Sequence, residues 1–159
     1  MQGHNIKDEL TLSFCRLGVA GLAPRAPGTW GTAVGCLLAP FLFFPLDIVW
    51  RVIVLIAIFI AGGLAATRAE KILRQKDPGE VVIDELAGVW LVFLPFPEPS
   101  FWLILSGFIF FRIFDIFKPW PVNASENWLP DGFGVMIDDI VAGVYALICM
   151  EILHWLGLF

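Results

Sequence analysis

From Ile48 to Ala66 the chain carries a single charge, Arg51, in a run long enough to cross a bilayer as one helix. No other feature narrows the fold so far. Four further apolar stretches accompany it: Ala33–Pro45, interrupted by Pro40, then Leu86–Phe96, Phe101–Phe117 and Val135–Leu158. The first and third of the five are short for spanning and would tilt, thin the bilayer or enter part way. Only 16% of the residues are charged, against about a quarter in soluble domains, so the apolar runs are not the core of a water-soluble protein. The expected fold is all-α, a membrane-embedded bundle of about four to five hydrophobic segments.

The basic residues orient that bundle. With the N-terminus inside and five crossings, Lys7, Arg16, Arg25, Arg68, Lys71, Arg74, Lys76, Arg112 and Lys118 fall on or near the cytoplasmic side, and only Arg51 does not. The same threading gathers the Arg25 loop, Asp84-Glu85, Arg112/Asp115/Lys118 and Asp138-Asp139 at cytoplasmic helix ends. Charges distant in sequence therefore converge on one layer. A net charge of −5 without a basic, aromatic-interleaved stripe gives no reason to expect nucleic-acid binding.

VVIDELAGVW (81–90) and VMIDDIVAGVY (135–145) echo one another when one residue is inserted in the second. Each sets two adjacent acids before a small-residue segment. Neighbours on a helix point about 100° apart, so one carboxylate of each pair can face a shared centre while the other supports it. Helix capping with packing glycines is the competing explanation. Two doublets plus Asp115 exceed what capping needs. That many carboxylates in one layer require cations, and hard oxygen ligands with few histidines suit magnesium rather than zinc. His4 and His154 lie near opposite chain ends, and Cys15, Cys36 and Cys149 have no metal spacing, so both sets read as non-catalytic.

Two more segments complete the layer. In GLAPRAPGTWGT (21–32), Thr29, Thr32 and backbone amides could hold a phosphate with Arg25 supplying charge; a plain loop before a helix accounts for the same pattern. In FRIFDIFKPWP (111–121), Arg112, Asp115 and Lys118 recur at every third position and share one side of a helix. They either form an internal salt bridge or divide the work, with Asp115 at the metal cluster and Lys118 or Arg112 on an anionic substrate.

Together with GFGVMIDDIVAGVYA (132–146), these blocks stand in an order that resembles the phosphatidylglycerophosphatase A family, bacterial membrane lipid phosphatases. The resemblance implies a single domain over residues 1–159 that hydrolyses the phospholipid phosphatidylglycerophosphate to phosphatidylglycerol with Mg2+. It further implies a multi-pass protein of the bacterial cytoplasmic (inner) membrane with its active site facing the cytoplasm. Hydrolysis of a phosphomonoester needs neutralised phosphoryl oxygens and a positioned nucleophile. Asp84, Glu85, Asp138 and Asp139 are the expected metal and acid–base set, supported by Asp115, with Arg25, Thr29, Arg112 and Lys118 as phosphate contacts. A headgroup phosphotransferase and a small cation transporter are the alternatives for a membrane chain with clustered acids.

Overall fold

A computed structural model describes residues 5–158. Among them there is no strand. Seven α-helices follow one another: α1 (Ile6–Cys15), α2 (Pro27–Leu42), α3 (Ile48–Leu73), α4 (Ile83–Val92), α5 (Phe101–Phe117), α6 (Val122–Ser125) and α7 (Gly132–Trp155), with a 3-10 turn at Ala20–Leu22. Each apolar stretch read from the sequence falls on a helix. Only α3 and α7 are long and apolar enough to cross a membrane. Of the four to five membrane segments expected, these two helices qualify by length and composition.

The physical reason is clearest in α4. Its ten residues rise about 15 Å, half a hydrocarbon core. Nine of the ten are buried, from Ile83 to Val92 with only Leu91 partly open. A helix that is apolar all round belongs inside. So α4 is the centre of the bundle rather than a lipid-facing segment, and α2, α3, α5 and α7 pack around it. The outer helices bury one face and leave the other apolar and exposed, with Phe41, Val49, Ile56 and Ile60 all more than 45% accessible. An apolar exterior on this scale marks a membrane protein.

Glycines set how closely the helices approach α4. A Cβ on Gly143 of α7 would stand 2.6 Å from the Gly88 carbonyl oxygen, and one on Gly88 would stand 2.8 Å from the Asp139 carbonyl oxygen. The two echoed sequences therefore cross backbone to backbone at their matching glycines. On α2, Gly31 and Gly35 sit against Val82, Leu86 and Val89, and the Gly35 carbonyl accepts a 2.9 Å hydrogen bond from the Trp90 indole. Gly31 of GTWGT thus belongs to a packing face, and α2 begins at Pro27, so the last part of segment 21–32 is helix rather than loop.

Arg51 ties the opposite end. Its guanidinium is buried and donates to the carbonyl oxygens of Phe44, Leu46, Leu94, Phe96 and Pro97, joining the α2–α3 turn to the α4–α5 turn. The rings of Phe43 and Phe44 lie beneath it at 5.6 and 5.4 Å. The one cation that broke the basic bias is a structural clasp. His154 lies at this end too, edge-on to Phe96 at 5.7 Å, whereas His4 lies outside the described residues.

Candidate active site

At the other end of α4 a cavity of about 320 Å³ opens between the helix ends. Its wall takes Ala26–Gly28 from the start of α2, Asp84 and Glu85 from α4, Arg112, Asp115, Ile116 and Lys118 from α5, and Val135, Asp138 and Asp139 from α7. Asp84 and Glu85 occupy the first turn of α4, where the helix dipole favours acids, whereas Asp138 and Asp139 lie deeper along α7 and Asp115 sits in the last turn of α5. The convergence of distant charges expected from the sequence is what the structure contains.

Within the cavity the carboxylates divide into two groups. Asp84, Glu85 and Asp139 are buried and bring one oxygen each within 4.8 Å of one another. Asp84 Oδ1, Glu85 Oε2 and Asp139 Oδ2 are buried without a hydrogen-bond partner. Three converging carboxylates, each with a buried oxygen lacking a partner, are costly on their own and suit the donor set of a hard divalent cation. The residues present fit such an ion. Asp138 and Asp115 are held otherwise: Asp138 accepts from Lys118 Nζ, and Asp115 accepts from Arg112 Nη1. Asp138 also turns its second oxygen to the Asp139 amide at 3.0 Å. Of the four acids in the expected metal set, Asp84, Glu85 and Asp139 converge, the two neighbours on α4 among them, while Asp138 is turned to Lys118.

The cations are similarly placed. Arg112 lies 3.9 Å from Glu85 Oε1 besides its bond to Asp115, and its Nε is buried without a partner. Burial opposes the charge on Lys118, but its hydrogen bond and attraction to Asp138 outweigh that and raise its pKa. The salt-bridge alternative for 111–121 holds for Arg112–Asp115. Lys118 instead reaches across to α7. Arg25 is exposed, and neither it nor Thr29 lines the cavity; Thr32 is fully buried and its hydroxyl donates to the Gly28 carbonyl at 2.9 Å.

Two contributors escaped the sequence reading. Asp77, from the loop before α4, lines the cavity. Its Asp77-Pro78-Gly79 setting signals a turn, and only the folded chain places that turn beside the doublets. Gly28 makes room for the site, since a Cβ there would collide with Glu85 Oε1 and stand 3.2 Å from Arg112 Nη1. Ala26, Asp77 and Lys118 hold left-handed backbone at φ 48°, 47° and 42°. Non-glycine residues rarely do so, and strain of this kind gathers at functional sites. Cys15 is no nucleophile here: burial, and then Asp84, push its thiol up to about 11.

The profile of the family described as phosphatidylglycerophosphatase A matches residues 13–154. A Bacteroides thetaiotaomicron protein provisionally named phosphatidylinositol-3-phosphatase is 36% identical over 141 residues, covering 86% of this chain and 88% of its own. The phosphatidylglycerophosphatase A of Haemophilus influenzae is 36% identical over 138 residues, 86% and 85% of the two chains. That of Escherichia coli is 34% identical over 141 residues, 87% and 78%. No solved structure matches the chain significantly. The matched span holds every residue of the acid cavity, and the chain belongs to the phosphatidylglycerophosphatase A family.

Proposed function

We propose that this membrane protein is a phosphoric monoester hydrolase that takes phosphatidylglycerophosphate to phosphatidylglycerol and inorganic phosphate, using Mg2+ at Asp84, Glu85 and Asp139. The observation that carries this reading is the trio of unpartnered carboxylate oxygens beside Arg112 and Lys118 in one cavity, in a chain of this family. When bound, magnesium neutralises phosphoryl oxygens and lowers the pKa of a coordinated water. The chain's own residues do the rest. Asp115 fixes the plane of the Arg112 guanidinium and leaves its Nε for a phosphoryl oxygen. Lys118 holds Asp138 at the cavity wall, where that carboxylate can accept a proton from the attacking water. Arg25, exposed outside the wall, attracts the anionic headgroup rather than holding it.

The cavity faces the cytoplasm of a bacterial cell in this reading, on the basic bias of the chain. Cysteine placed near Arg74 should then resist an external label that reaches cysteine near Pro97. Purified protein should release phosphate from phosphatidylglycerophosphate with Mg2+, lose that activity on chelation, and lose it in Asp139→Asn. Release that survives both would remove the metal and the trio from the mechanism. The name of the Bacteroides relative makes phosphatidylinositol 3-phosphate the competing headgroup, and preference for it in the same assay would reassign the substrate.

A further inference from the structure

The acid cavity is not walled by polar groups on every side. Ile116 lines it and is 63% exposed, the one large apolar side chain among the described lining residues that also faces outward. Ile109 and Ile113 precede it by seven and three residues and are exposed, and Trp102 lies seven before Ile109, exposed as well. Such steps keep to one helix face. Leu103, Gly107 and Phe111 form the buried face of the same helix. An apolar stripe therefore starts inside the cavity and runs up the outside of α5 to its far end. From Ile116 to Trp102 it is about 21 Å long, more than the roughly 15 Å of one leaflet's hydrocarbon. α2 reaches the cavity wall only through Ala26, Pro27 and Gly28, so its exposed Trp30, Leu37 and Phe41 begin outside the cavity. α3 contributes nothing to the cavity wall, and the α7 residues that do, Val135, Asp138 and Asp139, are buried.

We infer that the Ile116–Ile113–Ile109 stripe is the acyl-chain subsite of the enzyme. The lipid substrate arrives sideways from the bilayer, lays a chain along α5, and turns its headgroup past Ile116 into the cavity. Ile116 lies one turn beyond Arg112, so the phosphate and the first methylenes of the chain part company there. This assignment rests on the lipid phosphatase reading above.

Two measurements test it. In mixed micelles, Ile113→Ser should raise the KM for dioleoyl phosphatidylglycerophosphate about tenfold more than the KM for the dihexanoyl form. Ile56→Ser, on the exposed face of α3, should leave that ratio unchanged. Independently, dioleoyl substrate carrying a mid-chain photoreactive group should label α5 in the unmodified enzyme, and excess unlabelled substrate should suppress it. An unchanged KM ratio in a folded Ile113→Ser protein, or substrate-protected labelling confined to α3 or α7, overturns the assignment. Failure of the unmodified enzyme to hydrolyse either form would instead refute the phosphatase reading itself.

Discussion

Gly28→Ala separates site geometry from stability more cleanly than removing a charge. The added methyl would collide with Glu85 Oε1 and meet Glu85 Cδ and Arg112 Nη1 at 3.2 Å, inside ordinary contact. Something must shift. The obstructing atoms are the far ends of flexible side chains, so the overpacking cost should fall at the low end of about 1–3 kcal/mol. Alanine recovers up to about 1 kcal/mol of helix propensity, less in a first turn. The net stability change is then within about 1 kcal/mol, a few degrees in Tm. The carboxylate that yields, however, is one of the three whose oxygens lie within 4.8 Å of one another. Misplacement by about 1 Å in a catalytic constellation can cost on the order of a hundredfold in rate. We therefore expect kcat/KM for phosphate release to fall by about that factor while Tm barely moves. Gly79→Ala is the control, since Gly79 lines the same cavity but a methyl added there would meet nothing within 4 Å. If Gly28→Ala keeps activity within about twofold of the parent, Glu85 is not held by α2 or is not needed.

Three further outcomes follow from other parts of the bundle. Arg51→Met should leave buried carbonyls of two turns unsatisfied and cost about 2–5 kcal/mol, read as a lower Tm in detergent; an unchanged Tm would dismiss the clasp. Arg112→Met should lower both Tm and kcat, because it strips Asp115 and Glu85 of their shared cation, and a loss of kcat at constant Tm would contradict the pairing. Lys118→Met should chiefly lower kcat, since its side chain is more open than that of Arg112; the reverse ranking of the two Tm values would refute this division.

Helix positions were legible because apolar runs this long admit few conformations, and the acid layer followed from counting helix ends. The role of α4 was harder to read. Leu86–Phe96 looks like any other apolar run, and only its shortness hinted that it does not face lipid. The split of Asp138 from Asp139 was half visible, since a 100° offset lets neighbours part. Asp84 and Glu85 with the same offset both join the trio, however, and which α7 acid joins them depends on the rotation of that helix. That rotation is set by the Gly88–Gly143 contact, and the echo of the two segments pairs these glycines without showing that they touch each other. Arg51 was visible only as an exception to the charge bias, because carbonyl oxygens, its true partners, leave no trace in composition. Asp77 stands close before Asp84 in the chain, but its Asp77-Pro78-Gly79 turn defines no helix face from which its direction could be read.

The crossing of α4 and α7 at Gly88 and Gly143 works as a pivot placed next to the chemistry. Glu85 lies three residues before its glycine and Asp139 four before its own, so each carboxylate-bearing residue sits on a lever arm of about 5–6 Å. A change of about 10° in the crossing angle would shift those positions by only about 1 Å, whereas Trp155, twelve residues beyond Gly143, would swing by about 3 Å. Rocking of the helices in a fluctuating bilayer is thereby passed to the end fastened by Arg51. The acid trio stays near the still point.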